Sequence, residues 1–135
     1  MRVVLDTNVF VSGIHWNGSS EKILKAWMRN DIDLVSSLPI IEELLRILIS
    51  FKVPLEPDDI SWWESLILEK SMIVVPTERV NVVTDPDDNQ FVEAALEGKA
   101  QYIISQDKHL LILKEYRGIK VLHPDNFLEK LKEMD

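Results

Sequence analysis

The chain has 135 residues, 46% of them hydrophobic and 28% charged, enough for one domain around one core and too apolar for a disordered segment. It has no cysteine, which excludes a disulfide scaffold, a thiolate zinc site and a cysteine nucleophile, and fits a reducing cytosol. Acidic residues outnumber basic ones 23 to 15, a net charge of −8, and taken alone this argues against a protein that grips nucleic acid by charge.

The N-terminal run Met1-Arg2-Val3-Val4-Leu5 reaches Asp6 at once, too short for a signal-peptide core. No stretch approaches the ~20 apolar residues of a membrane span, so a soluble, cytoplasmic protein with no membrane role is expected. No repeat or linker divides the chain, and residues 1–135 read as a single domain.

The first strand is expected over 2–5, followed by a helical pattern over 21–29 and a second strand over 33–36. Residues 38–50 place Ile41, Leu44, Leu45 and Leu48 at helical spacing, with Glu43 on the polar side. The next helix, 58–70, carries adjacent Trp62 and Trp63 on different sides. Either both are absorbed internally or the pair serves a dimer or partner surface. A strand over 72–75 leads to a helix over 86–97, closed by Gly98. Strands over 102–105 and 120–122 and a helix over 124–132 complete the chain. Such alternation predicts an α/β fold with a parallel sheet of about five strands between helices. Ligands bind such sheets beyond the C-terminal ends of the strands.

Acidic residues gather where that rule points. Asp6 follows the first strand in Leu5-Asp6-Thr7-Asn8-Val9, and Asp107 follows the fourth in Ser105-Gln106-Asp107-Lys108. Asp85, Asp87 and Asp88 crowd the start of the helix at 86. Each has a plain explanation as a helix cap or first-turn acid, and Glu43 as a solvated helix residue. Capping does not explain why several fall on one sheet edge, and the residues by themselves leave both explanations open. Two unit charges 4 Å apart repel by about 4 kcal/mol at an effective dielectric of 20. Converging carboxylates must therefore raise their pKa values or hold a cation, and an all-oxygen set points to Mg²⁺ or Mn²⁺.

Leu5-Asp6-Thr7-Asn8-Val9, Glu43-Leu44, Asp85-Pro86-Asp87-Asp88-Asn89-Gln90-Phe91 and Ser105-Gln106-Asp107 resemble, in order and spacing, the PIN domain family. Tyr116-Arg117-Gly118-Ile119 and His123-Pro124 look like the C-terminal segment of the branch that supplies toxins of type II toxin–antitoxin pairs. The resemblance implies a three-layer α/β/α fold and a metal-dependent ribonuclease acting on RNA, with a cognate antitoxin and a homodimeric state. It carries the catalytic acids to Asp6, Glu43, Asp88 and Asp107, with Asp6, Asp88 and Asp107 as metal ligands and Glu43 orienting the attacking water. Thr7, Asn8, Asp85, Asp87 and Ser105 would support the site from beside the metal.

His15, His109 and His123 have no ligand spacing. Lys108 and Arg46 are positioned either to meet substrate phosphates or to serve as surface charge. Neither GxGxxG, P-loop nor GxSxG occurs, so dinucleotide and esterase readings lack support. A haloacid-dehalogenase-like phosphate-ester hydrolase also begins with a strand and an Asp, but its Asp-x-Asp would need an acid where Asn8 stands. A noncatalytic interaction module on the same fold is the reading from another class.

Overall fold

The computed structural model describes residues 1–53 and 55–134. In chain order these form β1 (Arg2–Leu5), α1 (Thr7–His15), α2 (Ser19–Met28), β2 (Asp33–Ser36), α3 (Leu38–Ser50), α4 (Pro57–Lys70), β3 (Met72–Ile73), a 3₁₀ turn (Pro86–Asp88), α5 (Asn89–Glu97), β4 (Tyr102–Ile104), α6 (Lys108–Leu111), β5 (Glu115–Tyr116), β6 (Ile119–Leu122) and α7 (Pro124–Glu133). The sheet order is β3-β2-β1-β4-β6-β5, parallel except at β5.

β1 lies inside the sheet, with Val3, Val4 and Leu5 opposite Tyr102, Ile103 and Ile104 of β4. Successive strand side chains leave on opposite faces. Val3, Leu5 and Ile104 accordingly join one core with Phe10, Trp27, Leu44 and Phe127, while Val4, Ile103 and Val121 join another with Phe91, Val92 and Leu110. Helices α1 to α4 and α7 cover the first face and α5 with α6 the second. This is the expected three-layer α/β/α arrangement.

The apolar stripe of α3 buries Ile41, Leu44 and Leu48 within the expected bounds. Elsewhere the elements differ in detail. The sheet gains a sixth strand because Glu115–Tyr116 folds back on β6 through Arg117 and Gly118, whose φ values of 49° and 85° make the two-residue turn that suits a twisted hairpin. The strand expected over 72–75 pairs only at Met72 and Ile73. The helix expected from 86 opens as a 3₁₀ turn and becomes α-helical at Asn89. Gly98 closes α5 at φ −84°, so left-handed freedom is not its purpose; Lys99 takes that conformation at φ 53°. A Cβ on Gly98 would lie 2.4 Å from Val35 Cγ1, so glycine lets the end of α5 seat on β2.

Trp63 is partly buried, edge-on to Phe10 at 6.4 Å between ring centroids, whereas Trp62 is 55% exposed. Only one of the pair is absorbed. Among the described residues no helix is long and apolar enough to cross a membrane.

Candidate active site

The register of β1 and β4 brings the first two acids together. Leu5 pairs with Ile104, and the Asp6 N–H donates to the Ile104 carbonyl at 2.9 Å, so Asp6 and Ser105 emerge side by side at the C-terminal edge. Asp6 is 5% exposed, and its Oδ2 accepts from Ser105 Oγ at 2.6 Å. The same Ser105 Oγ accepts from the Asp107 N–H at 2.9 Å. One fully buried hydroxyl thus holds both acidic segments.

Capping accounts for some acids and not others. Asp107 Oδ1 accepts from the His109 N–H at 2.9 Å, and Asp85 Oδ1 accepts from the Asp87 N–H at 3.0 Å; both are true caps. Asp6 stands at the cap position of α1 and Asp88 at that of α5, yet neither side chain makes a capping hydrogen bond. Neither of those two is used up as a helix cap.

Their electrostatics are those of a crowded anionic site. Burial pushes the Asp6 carboxyl up; the Ser105 hydroxyl and the nearby Asn8 and Thr7 amides pull the other way, while Asp107 adds repulsion. Asp88 is pushed up to about 7, first by burial, then by the charges of Asp6, Asp107 and Asp85 and by a side-chain hydrogen bond with Asp107. A hydrogen bond between two carboxyl groups requires a proton on one of them.

Glu43 reaches the same edge from α3. Its Oε2 accepts from Thr7 Oγ1 at 2.7 Å and from Gln90 Nε2 at 3.2 Å, tying α3 to α1 and α5. Asn8 Oδ1 accepts from the Gln106 N–H at 3.4 Å, bracing the loop between Ser105 and Asp107. Asp87 is exposed and lines the cleft beside this edge. Gln90 was not singled out from the sequence, nor were Asn89 and Glu93. Asn89 Oδ1 accepts from the Val82 and Val83 N–H groups, and buried Glu93 accepts from the Val80 N–H and Arg79, fixing residues 79–83 along α5. A glutamate at a helix position among Phe91, Val92, Ala94 and Ala95 was the readable signal for Glu93; Gln90 had none.

Among the described residues no three carboxylate or imidazole groups already stand at metal-ligating spacing. The donor chemistry nevertheless fits a hard divalent cation. Asp6, Asp88 and Asp107 offer only oxygen, and the charges acting on Asp88 are negative, a repulsion that a cation among them would relieve. A cleft of about 1010 Å³ flanks the carboxylates: its wall includes Glu43, Asp87 and Gln90, with Arg46 and Arg79 further out, but not Asp6, Asp88 or Asp107.

A three-layer α/β/α domain with acids at the C-terminal edge of its parallel strands defines the class. A family model described as the PIN domain matches residues 2–109, a span that holds all four acids, and the chain belongs to the PIN domain family, and with it to a nuclease class. An uncharacterized protein of Methanocaldococcus jannaschii is 34% identical over 151 aligned residues, covering 98% of this chain and 93% of that protein. Among solved structures, VapBC-1 from nontypeable Haemophilus influenzae aligns with a TM-score of 0.63 at 15% identity, over 93% of this chain and 99% of that one. The Pyrobaculum aerophilum protein PAE2754 aligns at 0.62 and 13% identity, over 98% and 89%. At these identities the two structures share the fold.

Proposed function

We propose that the chain is an endoribonuclease that uses Mg²⁺ or Mn²⁺ to hydrolyse RNA phosphodiester bonds, and that it is the toxin of a type II toxin–antitoxin pair. The observation that carries this reading is the convergence of Asp6 and Asp107 on the Ser105 hydroxyl at one sheet edge, with Asp88 near enough to feel both charges. Family membership and the fold shared with VapBC-1 support it. In this reading Asp6 and Asp107, joined through Ser105, hold the principal ion, and Asp88 shares it or a second one. When bound, the cation polarises the phosphoryl group and makes a water a stronger nucleophile at neutral pH. Glu43 Oε2 is committed to Thr7 and Gln90, which leaves Oε1 to accept a hydrogen bond from the attacking water and orient it. Arg46 and Arg79 on the adjoining cleft would meet flanking phosphates, so the net charge of −8 does not bar RNA.

A cognate antitoxin, a homodimer and a cytoplasmic location complete the proposal. Exposed Trp62 on α4 is a suitable apolar contact for the second copy, and sedimentation as a strict monomer would exclude it. The test of activity is cleavage of structured and unstructured RNAs with Mn²⁺ and with EDTA. Asp6→Asn should abolish metal-dependent cleavage while leaving the fold intact; full activity in that variant removes the assignment. A noncatalytic module is the reading favoured by the lack of a preassembled ligand triad among the described residues. Mn²⁺ affinity that disappears in Asp88→Asn excludes it.

A further inference from the structure

Trp16 lies at the far end of α1 from Asp6, and 50% of its surface is exposed. Asn8 and Ser12 stand one turn apart on α1 and Trp16 follows its last residue, and the three line one stripe that starts beside the acidic edge. Two shallow depressions, of about 280 and 320 Å³, meet at this stripe: Ser12, Trp16 and Gln106 line both. Gln106 joins them to the site, since it sits between Ser105 and Asp107 and its N–H donates to Asn8. His15 backs the indole, its ring 4.5 Å from that of Phe51 and 6.3 Å from that of Trp16.

The lining has a definite chemistry. It offers an aromatic face together with the amides of Asn8, Asn17 and Gln106 and the hydroxyl of Ser12. Among the described residues no lysine or arginine lines either depression, and Glu21 and Asp125 accompany His123, Ser19 and Ser20 in one of them, so no fixed cation is there to hold a phosphate. A planar group with a polar edge suits it: the aromatic face stacks and the amides read the edge. We infer that Trp16 and Gln106 form a subsite for an unpaired nucleobase of single-stranded RNA, flanking the bond that the acidic site attacks. The inference rests on the ribonuclease reading. Ten residues at 1.5 Å each put Trp16 roughly 15 Å from Asp6 along the helix axis, too far for the attacked nucleotide and suited to a neighbour along the strand. Duplex RNA, with its bases already stacked, would gain nothing from the subsite. Stacking of this kind also gives an acidic protein a hold on RNA that does not depend on net charge.

The test measures binding of a fluorescein-labelled single-stranded RNA and its duplex form to the full-length wild type, Trp16→Ala and Trp16→Phe in Ca²⁺ buffer, then cleavage in Mn²⁺. Trp16→Ala should weaken single-strand binding about tenfold or more, Trp16→Phe should recover most of it, and duplex binding should not move. In cleavage the Trp16→Ala loss should fall mainly on KM. Equal single-strand affinity in wild type and Trp16→Ala, or no single-strand binding by the wild type, overturns the subsite. If cleavage persists with an unchanged KM, the subsite falls and the nuclease reading stands; Trp16-dependent binding without any cleavage gives the reverse. Loss of a co-purifying protein from Trp16→Ala with RNA affinity retained would make this a protein contact and also overturn the inference.

Discussion

The Ser105 hydroxyl donates to the Asp6 carboxylate at 2.6 Å with both residues buried, so the best-shielded acid of the site depends on one neutral donor. Ser105→Ala removes that donor and also the acceptor of the Asp107 N–H. A buried polar group left unpaired costs about 1–3 kcal/mol, and losing a group that orients a metal ligand costs 10–100-fold in metal affinity as an order of magnitude. Thermal unfolding should show the first effect and Mn²⁺ titration the second. Unchanged Mn²⁺ affinity would disconnect Ser105 from the site.

Asp88 should make metal-free stability fall as pH rises. Its carboxyl titrates at about 7 when folded, against about 3.9 for an unperturbed Asp, so between these values the folded chain keeps a proton that the unfolded chain has released. Stability therefore declines across that window and levels off above it. Asp6, shifted the same way, adds to the decline. Asp88→Asn should flatten the profile and gain about 1–2 kcal/mol at pH 8 in EDTA, after solvent screening is allowed for, while losing cleavage. Mn²⁺ should raise the wild-type melting temperature more at pH 8 than at pH 5. Melting curves in EDTA that are flat from pH 4 to 8 would contradict the crowding.

Glu43 joins three helices through one oxygen, and a glutamine can keep most of that geometry. Glu43→Gln should stay within ~1 kcal/mol of wild-type stability, because an amide oxygen can still accept from Thr7 or Gln90. Cleavage should drop by about 10²-fold or more if Glu43 orients the attacking water, as positioned acid–base groups contribute. Glu43→Ala strands both donors and should lose stability as well. Equal activity in wild type and Glu43→Gln would return Glu43 to a purely structural part.

The acids were legible because parallel strands send their C-terminal residues to one edge, which placed Asp6 and Asp107 together before any coordinates. Whether each was a cap was not legible. Asp85 and Asp107 cap from extended backbone, whereas Asp88 already has helical dihedrals and the Asp6 carboxylate is engaged by Ser105, differences that only the tertiary structure sets. Helix α1 was missed because Thr7, Val9, Val11 and Ile14 are β-branched and Gly13 sits inside it, a composition that opposes helix propensity. Tertiary packing decides there: a Cβ on Gly13 would lie 2.9 Å from the Ser20 carbonyl, so α1 and α2 pack against each other where only glycine fits. Gln90 was invisible because its partner Glu43 lies 47 residues away.

Gly98 separates packing from chemistry. It lies at the opposite end of α5 from Asp88, at ordinary negative φ, so alanine there has no backbone strain to relieve or create. The obstacle is Val35, whose Cγ1 and Cγ2 would stand 2.4 and 3.0 Å from the new methyl group. Valine is stiff about χ1 and this one is fully buried in β2, so it cannot swing aside, and α5 must lift from the sheet instead. Gly98→Ala should cost about 1–3 kcal/mol, the usual range for overpacking, measured by urea unfolding. Shortening the obstacle should restore room: Val35→Ala in the Gly98→Ala background should recover part of the loss, so the two changes should be non-additive. Purely additive effects would mean that α5 relaxes elsewhere and that the contact with β2 does not set its position.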